Sequence, residues 1–236
     1  MAVSPGTRCC TGMECIDRIV GGGFPAGGMI SVTGPCGSGK TLFALEYLIR
    51  GGMNGQKGMY ISTVHGTDKL MTYLPKLDYA DPKIFEKGAV VLKHIDEMGS
   101  GERDDGKITK TEAFAMVSDI AEAIKTGKIT RLVLDATNPI VVEMEEWVAR
   151  SFLLSLSKAL FEAECTALLI IEGEGVDSQE HMMSDGIIKL GNAVRRGDNF
   201  QVLEIVKMAG AAHSRAKYVM DLTPEGMLIT PMLRGV

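Results

Sequence analysis

Short apolar, β-favouring runs alternate along most of the chain with longer stretches whose apolar residues recur at helical spacing. Strands are predicted at 29–33, 58–63, 89–95, 130–135 and 166–172. Helices are predicted at 42–49, 67–76, 110–126 and 145–163, each ending near Gly, Pro or a polar turn; Gly51-Gly52 reads as the stop of the first. Near-continuous apolar strands separated by helices indicate parallel strands covered on both faces. From Gly186 the pattern changes to closely spaced strand-like runs at 186–191, 200–208, 216–221 and 227–231. These predict an antiparallel meander that closes one side of the sheet and is not a separate domain. The stretch 96–111, DEMGSGERDDGKITKT, reads as a mobile polar loop. The expected organisation is one α/β domain over 1–236, with no internal repeat.

Composition supports a folded globular protein: of 236 residues, 45% are apolar and 23% charged, which excludes wholesale disorder. The apolar runs, such as 167–171, are strand-sized and fall short of the roughly 18–20 residues that span a bilayer. The opening MAVSPGTRCC lacks the basic start and apolar stretch of a secretion signal, so a cytoplasmic protein with no membrane insertion is expected. The net charge of −5 counts against a surface that clamps nucleic acid. That charge is uneven: residues 96–122 carry eight acids and three bases, and 186–217 six bases and two acids. Two solvated faces, complementary surfaces between copies, or a local phosphate-binding patch would each account for this.

Five cysteines without a secretion signal are expected to be reduced thiols. The Cys9, Cys10 and Cys15 spacing is no zinc pattern, and no metal site is expected there. The 15 methionines suit adaptable core packing, and Trp147 is expected to pack on the last predicted helix.

The chemistry concentrates after the first predicted strand. Residues 34–41, GPCGSGKT, fit G-x-x-x-x-G-K-[ST], and the strand before and helix after supply the context that motif requires. Gly34, Gly37 and Gly39 let the backbone turn its N–H groups toward phosphate oxygens, with Pro35, Cys36, Ser38 and Leu42 completing the cradle. Lys40 neutralises the β and γ phosphates, and the Thr41 hydroxyl reaches Mg²⁺. The strand 130–134 ends in Asp135, a candidate second acidic group for the metal. ATP and Mg²⁺ are the expected ligands.

Three separated blocks resemble the KaiC-like branch of the RecA-type ATPases. They are TGMECIDRIVGGGFPAGG (11–28), FALEYLIRGGMNGQKGMYIS (43–62), and DGIIKLGNAV (185–194) followed by residues 203–229. The resemblance covers nearly the whole chain. It implies a RecA-type core that assembles into rings, commonly hexamers, with ATP at the subunit interfaces.

Two departures bear on activity. The family's strand after the first helix ends in a Glu-Glu pair, one member of which polarises the attacking water; here Val64-His65 occupy that place. The family also supplies Lys, Arg and His from one subunit to its neighbour's γ-phosphate. This chain has Lys207 and His213 but Ala209 in the arginine position. An arginine finger contributes about 10³–10⁵ in rate, so binding should outlast hydrolysis. Glu172 and Glu174, after the apolar run 167–171, either begin a surface loop or provide, through Glu172, a substitute carboxylate. His65 reads as a loop residue or a phosphate sensor and not as a base, and His181 carries no assigned role.

Three functions follow. The first is a ring-forming MgATP-binding protein whose nucleotide state sets assembly or partner binding, with weak hydrolysis. The second is a working ATPase in signalling or motor regulation, using Glu172 or a partner's residues. The third is a recombinase-like DNA-binding ATPase contacting phosphates through Lys189, Arg195, Arg196, Arg215 and Lys217.

Overall fold

The nine predicted strands form one nine-stranded sheet. A computed structural model describes residues 7–64, 66–72, 74, 77–97, 107–195 and 197–232. Five parallel strands, β3 (Met29–Gly34), β4 (Gly58–Ser62), β5 (Val90–His94), β6 (Arg131–Asp135) and β7 (Thr166–Glu172), stand in the order β3-β7-β6-β4-β5. The chain therefore runs from β3 to the far side of the sheet and fills the gap afterwards with β6 and β7. Four further strands complete the sheet: β8 (Gly186–Arg195), β9 (Asp198–Met208), β10 (Lys217–Thr223) and β11 (Gly226–Pro231). β8 pairs parallel with β3, and β8 to β11 then form the expected antiparallel meander. A two-residue ribbon of β1 (Arg8–Cys9) and β2 (Phe24–Pro25) stands apart from the sheet.

Alternation along the strands divides the core into two layers, because successive side chains point to opposite faces. Ile30, Val32, Tyr60, Val133, Leu168 and Ile170 pack with α1 (Glu14–Ile19) and α2 (Lys40–Met53). Met29, Met59, Ile61, Leu132, Leu134, Ala167 and Leu169 pack with α5 (Lys110–Gly127) and α7 (Glu146–Glu162). All of β3 and six of the seven residues of β7 are buried, as strands covered on both faces must be. Among the described residues, no helix is long and apolar enough to cross a membrane.

Several boundaries depart from the sequence reading. The first long helix runs on through Gly51-Gly52 to Met53, and the stop is Asn54-Gly55, with Gly55 at φ 77°. The polar loop at 96–111 yields at its end to a capped helix start. Thr109 Oγ1 accepts from the Glu112 N–H at 3.3 Å, and the Glu112 carboxylate accepts from the Thr109 N–H at 2.7 Å. Most of that loop, residues 98–106, lies outside the described residues. Of the helix predicted at 67–76, α3 spans Thr67–Met71, and positions 73, 75 and 76 also lie outside them. The first meander strand reaches Arg195 and not residue 191, because Leu190 to Arg195 continue the pairing with β9 beyond the last pair with β3. Four short helices are absent from the sequence reading: α1, α4 (Lys83–Glu86), α6 (Asn138–Val142) and α8 (Gln179–Met183). Each is a single turn or little more, too short for hydrophobic periodicity to register.

Gly51 continues inside α2 because it packs beneath a buried cation. Arg131, at 1% exposure, donates to the carbonyls of Thr11 (2.8 Å), Tyr47 (2.6 Å) and Cys10 and to Gln56 Oε1 (2.7 Å), and lies 4.5 Å from the Tyr47 ring centroid. An alanine methyl at Gly51 would stand 2.5 Å from Arg131 Cδ, 2.7 Å from Cζ, and against Nε. Alanine ordinarily stabilises a helix interior over glycine by roughly 0.5–1 kcal/mol. Gly51→Ala is expected to reverse that sign and cost about 1–3 kcal/mol through overpacking. Urea unfolding checks this, and a stabilised variant would contradict the close packing of Gly51 on Arg131.

Candidate functional site

The C-terminal ends of the parallel strands meet at one edge of the sheet. Gly34 pairs with Glu172, Asp135 with Ile170 and with Ser62, and Ser62 with His94. Such edges are where open α/β sheets carry ligands. The loop 34–39 leaves β3 here and enters α2, whose amide ends point back toward the loop. The first turn of α2 contains no acidic residue that would oppose an anion.

Two glycines hold the loop where side chains cannot. At Gly34 a Cβ would stand 2.5 Å from the Leu190 carbonyl oxygen and 2.6 Å from Ser38 Oγ. Gly39 takes φ 91° at the helix entrance, and a Cβ there would lie 2.7 Å from Leu222 Cδ1. Lys40, 5% exposed, folds its ammonium back onto the carbonyls of Gly34 and Pro35, each at 2.8 Å. Ser38 Oγ is buried without a hydrogen-bond partner. Cys36 and Gly37 are exposed at the tip, where Gln201 Nε2 of β9 donates to the Gly37 carbonyl at 3.2 Å. Leu42, half-buried, is the third residue of α2.

Thr41 Oγ1 donates to Asp135 Oδ2 at 2.8 Å, which joins the start of α2 to the end of β6. Tyr60 of β4 donates its phenolic hydrogen to the same oxygen. Burial first, then the neighbouring Asp135 charge, pushes the Tyr60 phenol well above its ordinary value, so it remains a donor at any physiological pH. Thr63 braces the same strand end: its N–H donates to Asp135 O (2.8 Å), its hydroxyl to Ala136 O (2.8 Å), and it accepts from the Ala136 N–H (2.9 Å). Glu172 is exposed beside Gly34 at the end of β7, its backbone N–H donating to Asn138 Oδ1 at 3.0 Å. Glu174 is exposed in the loop that follows.

The predicted site residues thus fall into two groups. Residues 34–42, Asp135 and Glu172 share the sheet's C-terminal edge. Lys207 and His213 lie elsewhere. Lys207 pairs with Ile187, level with Ser31, three residues or about 10 Å back along β3 from Gly34. Its ammonium donates to the Ser184 carbonyl at 2.6 Å. His213 is half-buried with Nδ1 unpartnered, on a loop whose Ser214 N–H donates to Ile19 O. Ala209, whose N–H donates to Asp185 O, is on this side too. Val64 is 58% exposed just past β4, and His65 lies outside the described residues. Sequence reasoning missed Tyr60, Thr63 and Asn138. A tyrosine inside a buried apolar strand must find a partner for its hydroxyl, and that was the available signal for Tyr60.

This donor set suits a polyphosphate with a divalent cation. Gly34 and Gly39 leave no room for a side chain, the buried Ser38 hydroxyl lacks a partner, and Lys40 supplies a buried ammonium. Thr41 and Asp135 provide the hard oxygen ligands that Mg²⁺ prefers, directly or through its waters. Among the described residues no group of three or more His, Cys, Asp or Glu side chains could hold a metal ion. The cysteines near the start make no such cluster: Cys9 Sγ is 3.7 Å from the Tyr47 hydroxyl, whereas Cys15 Sγ faces the Met227 carbonyl.

Replacing Gly39 tests the loop conformation without any ligand. Gly39→Ala forces a left-handed backbone on a residue with a Cβ, at about 1–2 kcal/mol. The free energy of unfolding in urea should fall by that amount, and an unchanged value would contradict a left-handed Gly39.

Comparison with known proteins agrees with this geometry. Residues 9–234 match the family described as ATPase: KaiC. A UPF0273 protein of Methanopyrus kandleri is 26% identical over 234 residues, covering 95% of this chain and 92% of the relative. The circadian clock protein KaiC2 of Synechocystis is 25% identical over 95% of this chain, but only 40% of that longer protein is covered. The crystal structure of a KaiC-like protein from Pyrococcus horikoshii superposes with a TM-score of 0.81 at 24% identity, covering 96% of this chain and all of that one. With the fold, the phosphate loop and a match spanning nearly every residue in agreement, this chain belongs to the KaiC ATPase family.

Proposed function

We propose that this protein binds MgATP on the loop 34–42 and that nucleotide occupancy governs its assembly into a ring, a hexamer by family resemblance, and its contact with a protein partner. Hydrolysis is slow in this reading. The observation that carries it is a complete phosphate and cation cradle beside an exposed Val64 where the family's acidic pair belongs. A valine cannot orient or deprotonate water. Lys207 sits three positions back along the sheet from the loop with its ammonium on the Ser184 carbonyl, and His213 follows it past the end of β9, which supports a reading in which both reach the nucleotide of a neighbouring copy. Ala209 brings no guanidinium to that contact.

In the bound state the loop N–H groups and Lys40 would hold the phosphates, and Thr41 with Asp135 would hold Mg²⁺ and its waters. The cation neutralises phosphate charge. The chain's own part is to bind and orient, with Lys40 released from its two carbonyls to meet the anion.

A second reading keeps turnover, and the position of Glu172 favours it. Its carboxylate is exposed at the strand end adjoining Gly34, where it could accept a proton from water.

Titration with a fluorescent ATP analogue, with phosphate release measured on the same samples, separates the two. Lys40→Ala should weaken binding roughly ten- to a hundredfold, the loss of a hydrogen-bonded charge worth about 1.5–3 kcal/mol. Wild type that binds tightly yet releases phosphate no faster than this variant supports the first reading. Turnover abolished by both Lys40→Ala and Glu172→Gln establishes the second.

A further inference from the structure

Asp135 Oδ2 accepts from two hydroxyls that arrive on different elements, Thr41 from α2 and Tyr60 from β4. A carboxylate pinned through one oxygen by two donors cannot rotate without losing both, so its other oxygen keeps one direction. Thr41 is committed twice, since the same hydroxyl is a candidate cation ligand. Tyr60 is not. It is 1% exposed, and its phenol reaches forward from the position paired with Val133 to the carboxylate two residues on. A buried tyrosine hydroxyl needs some acceptor, and Tyr47 shows what a purely structural one looks like: its hydroxyl donates to the Thr166 carbonyl at 3.2 Å, with no part in the strand-end network.

We propose that Tyr60 is a positioning residue for the divalent cation: its phenol locks Asp135 so that the remaining carboxylate oxygen is held toward the cation's water shell. The inference rests on the proposed MgATP binding at this site and assigns a further residue to it. Phosphate contacts come from the loop amides and Lys40, which Tyr60 does not touch. Removing the hydroxyl should therefore separate cation affinity from nucleotide affinity.

The test compares wild type, Tyr60→Phe and Tyr47→Phe by fluorescent ATP-analogue binding, first in EDTA and then in a MgCl₂ titration at fixed nucleotide. Urea stability is recorded for each. Tyr60→Phe is expected to match wild type in EDTA and to need roughly tenfold more Mg²⁺ at the midpoint, the lower end of the loss seen when an outer-shell partner of a metal ligand is removed. Tyr47→Phe is expected to lose stability with no shift in the Mg²⁺ midpoint. Placing 4-aminophenylalanine at position 60 keeps the ring and a weaker donor, and its midpoint should fall between those of wild type and Tyr60→Phe. If Tyr60→Phe does not fold, the shift of that variant decides. An unshifted midpoint overturns the proposal, as does a fall in EDTA binding equal to the fall with Mg²⁺. Wild type that binds no nucleotide at all would sink the proposed function itself, an outcome distinct from either of these.

Discussion

One carboxylate oxygen holds the site together. Asp135 ends β6, and its Oδ2 fastens the first turn of α2 through Thr41 and the neighbouring strand β4 through Tyr60. Without that joint, the glycine loop would keep its internal contacts from Lys40 and Gln201 but lose the side-chain tie of the α2 start to β6. With it, three elements distant in sequence are referred to a single point, and Thr63 ties the backbone of the same strand end from the other side. Hydrogen bonds to a charged acceptor in a partly buried place are among the stronger ones a protein makes, so the joint is rigid before any ligand arrives. A preorganised anion and cation cradle is what a nucleotide-binding role requires.

A second fastening works at the opposite end of the same helix. Arg131 begins the strand that Asp135 ends, and its guanidinium gathers the carbonyls of Cys10, Thr11 and Tyr47. A buried cation satisfied this way would be costly to strand, so the N-terminal segment is held onto α2 and β6 together. That segment continues to the loop after β9. Arg8 donates to the Gly210 carbonyl, and Ser214 to that of Ile19. The loop bearing Ala209 and His213 is thereby braced by α1 and the ribbon, past the end of β9 that lies away from the phosphate loop.

Much of this was legible in the sequence, for physical reasons. The buried strands announce themselves because covering both faces demands unbroken apolar runs, as in 167–171. The phosphate loop announces itself because only glycine fits at Gly34 and Gly39. Asp135 was found because an acid after an apolar run is conspicuous. What escaped were features set by contacts between distant residues. Gly51 reads as a helix stop, and only the position of Arg131 explains why it is a helix interior instead. Tyr60 reads as one more β-favouring aromatic until Asp135 is seen beside it. The second group of predicted residues, Lys207 and His213, was named from family likeness, and the topology puts it away from its own chain's loop. No pattern along one chain could have located that group, because the sheet register decides it.

The proposed slow turnover rests on the missing acidic pair and the missing arginine, and restoring them is the most direct test. Phosphate release should be measured for a variant in which Val64 and His65 are both replaced by Glu and Ala209 by Arg, beside wild type, with nucleotide binding recorded on each. If the account is right, binding changes little and the rate rises by at least about 10³, the lower bound of what an arginine finger contributes. Wild type that already turns over as fast as the restored variant would contradict it, and Glu172 would then be the group to follow.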